Sequence, residues 1–373
     1  MDMLTSCLDG KPPVFCVLGA GHGGMAMAAH LSLLGFPVSL YNRTDARIVP
    51  VQQREGISLS GEVEGFGRVI KATSDIAEAL DGVDVLMVVV PATGHRFMAE
   101  TCADHLRDGH VVVLNPGRTL GALEFKQVLR EKGCKADVIV AETQSLLYAS
   151  RAVGPGEAKI FRIKNSVPLA CIPAYRIPDV LKIVRQAFPQ FVPGTNIFKT
   201  SFDNIGAVFH PAITILNASW IEERIDFEFY MQGISRSVCL IMEKMDAERV
   251  AVADALGINA LTAREWLYRA YHATGKNLYE AMMDNPGYRG ITAPKTLKVR
   301  YITEDVPMSL VPMSSLGRML GVPTPTIDGI IHLASIIHEC DYMSEGRTVE
   351  RLGIAGMSLR DLRLLAIGEE AGS

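Results

Sequence analysis

Val14-Phe-Cys-Val-Leu-Gly19-Ala-Gly21-His22-Gly23-Gly24 decides the fold of this 373-residue chain. An apolar, β-branched run feeds directly into a Gly-x-Gly-x-x-Gly turn, and an Ala/Met-rich helical stretch follows from Met25 to Leu34. A dinucleotide fold needs that order. Gly19 permits the tight strand-to-helix turn, Gly21 lets the backbone approach a pyrophosphate, and Gly24 allows helix to pack closely on strand. The helix N-terminus offers unpaired N–H groups and a positive dipole end to the phosphates, with His22 and Gly23 completing the motif. A second β run, Pro37-Val-Ser-Leu-Tyr41, comes next.

The residue ending that second strand separates NAD from NADP, because an acidic side chain there bonds the ribose 2′-hydroxyl whereas a 2′-phosphate needs cations and hydroxyls. This chain has Tyr41-Asn42-Arg43-Thr44, with no carboxylate at that point. A planar guanidinium suits phosphate, so Asn42, Arg43 and Thr44 predict NADP, with NAD as the second choice. An Arg43 stacked on the adenine, or merely solvated, is the alternative. Farther on, Val88-Val-Val-Pro91-Ala92-Thr93 and Asn115-Pro116-Gly117-Arg118-Thr119 each end a β run in Pro and small residues. Such turns line the carboxyl edge of a nucleotide-binding sheet, which makes Pro91, Ala92 and Asn115 candidate cofactor contacts. Plain strand-ending turns would read the same way.

Hydrophobic residues make up 48% of the chain and charged ones 21%, as in ordinary globular proteins. A net charge of −4 gives no reason to expect nucleic acid or an anionic membrane surface. Seven scattered cysteines form no CxxC pair and no zinc spacing, a pattern of reducing compartments. The polar N-terminus, residues 1–13, has no apolar stretch of signal-peptide length, and the longest apolar runs fall well short of the ~20 residues of a membrane span. A cytoplasmic protein is the expectation.

β runs at Val14–Leu18, Val38–Tyr41, Val83–Val90, His110–Leu114, Asp137–Glu142 and Val167–Ile172 alternate with helical patterns. Alternation of this kind predicts a doubly wound parallel sheet of Rossmann type, with Gln190–Pro193 and Ile197–Phe198 closing it. From about Thr200 the pattern is helix after helix, including 204–225, 232–256, 260–274, 308–320 and 324–343, which implies an all-α domain. The expected division is a nucleotide-binding domain, residues 1–199, and a helical catalytic domain, residues 200–373, with the active site in a crevice between them. The abundant helices of the second half could offer an apolar face to a homodimer.

In the helical half, His210-Pro211 opens an otherwise apolar segment, where spacing alone favours a satisfied core histidine. In Arg300-Tyr-Ile-Thr-Glu304-Asp305-Val-Pro307, Asp305 stands before a helix start, a common capping position for a carboxylate. Trp266, Tyr271, His272 and Tyr288 are aromatic candidates for a substrate wall, although core packing is the preferred reading of such residues.

The N-terminal GAGHGG, the mid-chain His-Pro and the late Arg-Tyr-x-x-Glu-Asp-Val-Pro together resemble the octopine/nopaline (opine) dehydrogenase family, over about residues 14 to 343. The resemblance implies reduction by NAD(P)H of the imine formed from an α-keto acid and an amino acid. It further implies His210 as catalytic histidine, Asp305 as the carboxylate that orients it, and Arg300 as the residue that meets a substrate carboxylate. Glu142 and Thr143, at a strand end, resemble a family element; Glu142 could bond the amine substrate or form a structural ion pair. A neutral imidazole can exchange protons near pH 7, hydride comes from the nicotinamide, and no metal is required. A carbonyl reductase of the ketopantoate or β-hydroxyacid type is the alternative enzyme, but it depends on a lysine at the start of the helical domain, where Lys199 is the sole candidate. A non-catalytic NADP-binding sensor is the alternative of another class.

Overall fold

The computed structural model describes residues 11–368, so the first ten residues of the polar N-terminus lie outside it. The chain forms two compact units, one of Met1–Thr200 with Leu364–Ser373 and the other of Ser201–Arg363.

The first unit holds twelve described strands: β1 Phe15–Leu18, β2 Val38–Tyr41, β3 Gly56–Gly61, β4 Gly65–Arg68, β5 Lys71–Thr73, β6 Val85–Val88, β7 Val111–Leu114, β8 Ile139–Thr143, β9 Tyr148–Gly154, β10 Glu157–Ile163, β11 Val167–Ile172 and β12 Phe191–Pro193. Eight of them form a sheet in the order β12-β11-β8-β7-β6-β1-β2-β5. Strands β1, β2, β6 and β7 are buried along their whole length. Both faces of a doubly wound sheet are covered, so such strands read as continuous apolar runs. β1 pairs in parallel with β2 and β6, putting Leu18 beside Tyr41 and Val88 at one carboxyl edge.

Two features depart from a simple parallel sheet. β11 runs antiparallel to β8, and a second, four-stranded sheet of order β4-β3-β10-β9 lies outside the doubly wound pattern. The β9–β10 hairpin turns at Pro155-Gly156, and its residues alternate between exposed and less exposed. That period-2 signal is visible in the sequence but short and interrupted by glycines. The helix His22–Leu33 packs against strands of both sheets and is buried from Gly23 to Leu31. A helix covered all round needs no polar face, hence its Ala/Met composition.

β12 alone closes that edge of the large sheet; Ile197 begins the helix Ile197–Phe202 instead of extending a strand. Thr195 adopts a left-handed conformation, and the Asn196 side chain accepts the Lys199 N–H at 3.0 Å, a helix-starting cap.

The second unit is helical. The stretch 204–225 is two helices, Gly206–Leu216 and Ala218–Glu222, because the Asn217 side chain donates to the carbonyls of Ile213 and Gly233 and the backbone leaves helical geometry there. The long helix Arg236–Ala255 is the spine. Its fully buried Arg249 bonds Asp246 and the carbonyls of Phe202 and Leu261, while Asp246 accepts the Ala263 N–H at 2.7 Å. One buried ion pair thus fastens the start of the unit and the helix Ala263–Tyr271 to the spine. The helices Val311–Leu320 and Pro325–His338 follow a wide π-helical turn, Val306–Leu310, that contains Pro307.

Candidate active site

In the first unit the glycine turn has the shape its sequence predicts. Gly19 sits at φ +114°, and a Cβ there would lie 2.6 Å from the Val89 carbonyl oxygen. A Cβ on Gly24 would lie 1.7 Å from the Gly19 oxygen, whereas one on Gly21 would meet nothing within 4 Å. Gly24 is therefore fixed by packing, and Gly21 faces open space at the N-terminus of the helix His22–Leu33. Backbone N–H groups beside open space suit a pyrophosphate, so these residues fit a dinucleotide.

Asn42 ties the turn to the loop after β2: its Oδ1 accepts the Ala20 N–H at 3.1 Å, and its Nδ2 donates to the Thr44 carbonyl and hydroxyl. Arg43 is exposed, its guanidinium 5.7 Å from the centre of the Phe97 ring. Arg47, which the sequence reading passed over, donates to the Ala20 carbonyl at 3.1 Å and brings a second cation to this loop. His22 is held away from the turn's centre, its Nδ1 accepting the Ala152 N–H of β9 at 2.9 Å. Gly23 is buried under Leu146 and Val89. Pro91 is exposed after β6, Ala92 is buried beside it, and Asn115 is buried at the end of β7. The Asn115 amide donates to the Val113 carbonyl, and its Oδ1 has no protein partner. An acceptor left in that state at a sheet's carboxyl edge suits a donor on a bound ligand.

Glu142 and Thr143 are in the framework of the first unit. Glu142 is fully buried; one oxygen accepts the Ala122 N–H at 2.9 Å, in the first turn of the helix Gly121–Glu131, and the other accepts the Thr200 hydroxyl at 2.7 Å. The helix end supplies orphan donors that a carboxylate satisfies, so Glu142 joins that helix to the helix Ile197–Phe202. Thr143 donates to the carbonyls of Leu114 and Ser145. Lys199, on which the carbonyl-reductase alternative depends, also belongs to the first unit.

In the second unit, His210 and Asp305, 95 positions apart, are in direct contact. His210 Nδ1 lies 2.8 Å from Asp305 Oδ2, the imidazole partly exposed and the carboxylate fully buried. A carboxylate only accepts, so it fixes the proton on Nδ1 and leaves Nε2 to exchange protons. Capping is not the role of Asp305, since its side chain makes no cap bond to the turn it precedes. Gly206 leaves room for the ring: a Cβ there would come within 3.0 Å of His210 Cε1.

The neighbour of Arg300, rather than Arg300 itself, meets the imidazole. Tyr301 stacks on His210 with ring centres 4.4 Å apart and planes 23° apart, and Phe229 backs Tyr301 at 4.9 Å. Arg300 Nε donates to Glu304 at 2.6 Å, the guanidinium exposed and the carboxylate buried. Tyr230 approaches His210 from another side and stacks on Tyr288 at 4.4 Å, with Tyr271 and Trp266 extending the cluster. Burial first, then Tyr301, Tyr288 and Asp305, pushes the Tyr230 phenol well above its ordinary pKa, so it stays a neutral hydroxyl. His272 is a left-handed helix cap edge-on to Tyr268. Among the described residues no group of three or more His, Cys, Asp and Glu is arranged to hold a metal, and no helix is long and apolar enough to cross a membrane.

Comparison with known proteins bears on both units. Residues 193–338 match the model for the α-helical domain of NAD/NADP octopine/nopaline dehydrogenases, and residues 14–132 that for the N-terminus of NAD-dependent glycerol-3-phosphate dehydrogenases. An opine dehydrogenase of Arthrobacter sp. (strain 1C) is 40% identical over 350 residues, covering 94% of this chain and 97% of the relative. Two solved structures share the fold. An octopine dehydrogenase with NADH and L-arginine has a TM-score of 0.81 at 20% identity, covering 97% of this chain and 99% of its own. An NADP+-bound yersinopine dehydrogenase has a TM-score of 0.76 at 16% identity, covering 94% and 99%. With a relative this similar along nearly its whole length, and with the helical-domain model matched around His210 and Asp305, the chain belongs to the octopine/nopaline (opine) dehydrogenase family.

Proposed function

We propose that the chain is an opine dehydrogenase in which the His210–Asp305 pair handles the proton of reductive condensation. An α-keto acid and the amine of an amino acid lose water to give an imine, which accepts hydride at carbon and a proton at nitrogen to become a secondary amine. A bound NAD(P)H supplies the hydride. His210 Nε2 exchanges the proton, while Asp305 holds the ring in one tautomer and stabilises the imidazolium. The 2.8 Å contact between them is the observation on which this reading rests. Tyr301 and Tyr230 restrict the ring's orientation from two sides. Arg300 is assigned to a substrate carboxylate, with Glu304 fixing the guanidinium from its Nε side and leaving the far nitrogens to pair with an anion.

The exposed Arg43, with Thr44 and Arg47 on the same loop, supports NADPH over NADH. The reducing compartment suggested by seven scattered cysteines supports the cytoplasm. A homodimer is proposed from the exposed apolar residues Leu240, Leu333 and Ile336 of the helical unit; a monomer in sedimentation at micromolar concentration removes that claim alone.

The test is an NADPH-oxidation screen of α-keto acids crossed with amino acids, each reactant also tried alone. Oxidation is expected only with both; oxidation by a keto acid alone converts the reading to a carbonyl reductase. With the best pair, His210→Ala should lower kcat by ~100-fold or more with NADPH affinity nearly unchanged, and Asp305→Asn should lower kcat as well. Undiminished turnover in His210→Ala defeats the mechanism.

A further inference from the structure

Near the start of the helical unit, Asn204 is a polar side chain beside His210 that the mechanism above does not use. It is 5% exposed, and its backbone is pinned on both sides: the N–H donates to the Ser201 carbonyl, and the carbonyl accepts the Ala207 N–H. Its Nδ2 donates to the Ser309 hydroxyl at 3.0 Å. Ser309 is fully buried in the π-helical turn Val306–Leu310, which Asp305 precedes. One turn therefore holds both side chains, His210 through Asp305 and Asn204 through Ser309.

With the amide nitrogen engaged at Ser309, the oxygen is turned away from it, and among the described residues no donor reaches Asn204 Oδ1. A Cβ on Gly206 would lie 3.5 Å from this oxygen and 3.0 Å from His210 Cε1. Because residue 206 is glycine, the acceptor and the edge of the imidazole flank one gap with no side chain between them. The imidazole keeps 19% of its side-chain surface exposed, so a ligand can reach that edge.

An amide oxygen only accepts hydrogen bonds, which restricts what a bound substrate can present to it. Near neutral pH the keto acid carries a carbonyl and a carboxylate, both acceptors, and the carboxylate of the amino acid is another. The donor common to every substrate pair is the nitrogen of the amino acid. It bears N–H as the amine, as the protonated imine and as the secondary amine product. It is also the atom whose proton His210 exchanges, so it must come within reach of the imidazole, beside Asn204. An acceptor fixed there favours the iminium N–H and holds the plane of the C=N while hydride is added to carbon. The proton that reaches nitrogen still passes through His210; Asn204 accepts a hydrogen bond without taking a proton.

We propose that Asn204 binds the substrate nitrogen, its Oδ1 accepting the N–H. This rests on the opine dehydrogenase reading. With the best substrate pair, Asn204→Ala should lower kcat/KM for the amino acid at least ~10-fold, with KM for NADPH unchanged. Calorimetry on NADP+-loaded enzyme supplies a readout without turnover. It compares N-(1-carboxyethyl)glycine with its ether counterpart, 2-(carboxymethoxy)propanoate, in which oxygen replaces the N–H. Wild type should prefer the amine at least ~10-fold. Asn204→Ala should lose most of that preference through the amine alone, the ether staying within ~3-fold of wild type. Asn204→Asp, of the same shape but anionic, should increase the preference, and it carries the test if the alanine variant does not fold.

A merely structural asparagine would move both compounds together. An amine-to-ether ratio that is the same in wild type and both variants overturns the proposal alone, as does an unchanged kcat/KM in Asn204→Ala. A loss of NADPH affinity in Asn204→Ala also overturns it, by assigning the amide to the cofactor. A wild type that binds neither compound and turns over no substrate pair overturns the opine reading and this proposal with it.

Discussion

At the scale of single residues, the imidazole of His210 is held by two different forces, and each can be removed separately. Asp305 fixes the tautomer through a hydrogen bond, and Tyr301 fixes the ring plane by stacking. An aromatic pair is worth about 0.5–1.5 kcal/mol beyond its buried area. Tyr301→Leu should therefore lower kcat by roughly 2- to 10-fold with little effect on NADPH affinity, and Tyr301→Phe, which keeps the stack, should retain most activity. A Phe variant as impaired as Leu would mean the hydroxyl, rather than the ring, matters. The sequence motif drew attention to Arg300, yet Tyr301 touches the histidine, because a short helix, Arg300–Thr303, turns adjacent side chains in different directions. Cofactor choice is also a residue-scale matter. Charge-assisted contacts are worth ~1.5–3 kcal/mol, so Arg43→Ala and Arg47→Ala should each narrow the preference for NADPH by weakening NADPH alone. A wild type that prefers NADH removes the assignment.

At the scale of elements, the glycine turn separates binding from folding. Gly21→Ala places its methyl in open space and should leave thermal stability near wild type while weakening NADPH binding; Gly24→Ala drives a methyl into the Gly19 carbonyl and should reduce the yield of folded protein. Equal thermal melts and equal NADPH affinities for the two variants would contradict this division. Apart from β5, Lys71–Thr73, three residues with no apolar run to mark it, the other seven strands of the large sheet and the principal helices were legible in the sequence because apolar period and glycine punctuation are local signals. The second sheet was not. β3 and β4 are glycine-rich and short, and the β9–β10 hairpin gains its stability from the helix His22–Leu33, more than a hundred residues earlier. The reversed direction of β11 likewise follows from where that excursion returns the chain. Helix breaks at Asn217 came from side-chain bonds to backbone that no periodicity reports.

For the molecule as a whole, buried histidines set the acid limit of stability. His110 is nearly inaccessible; its Nδ1 accepts the Arg107 N–H at 3.0 Å, and its Nε2 donates to the Val83 carbonyl at 3.0 Å. Protonation would place a second hydrogen on the accepting nitrogen. Burial, and then the charge of Arg107, lowers its pKa from 6.5, and burial lowers that of His30 in the same unit. The unfolded chain thus binds protons before the folded one does. The stabilisation is present above about pH 6.5 and is lost as pH falls through the depressed folded values. Tm should drop as the protein is acidified from pH 7.5 to 5, and His110→Gln should be less stable at pH 7.5 but fall less steeply. Parallel Tm-against-pH curves for the two proteins would exclude His110 as a contributor.

The sequence by itself determined the strand, glycine turn and helix of the nucleotide site, because the steric demands of that turn fall on contiguous residues, and the shift from alternating to all-helical pattern after Thr200. Resemblance to a family pointed to His210 and Asp305; physical reading of either residue alone favoured a core histidine and a helix cap. Only the tertiary structure decided that the two meet, that Glu142 is a buried clamp on a helix end, and that Tyr301 stands over the imidazole. The chemistry of a charged or ring side chain depends on what surrounds it, and its neighbours here come from positions up to 95 residues away, set by packing that no local pattern encodes.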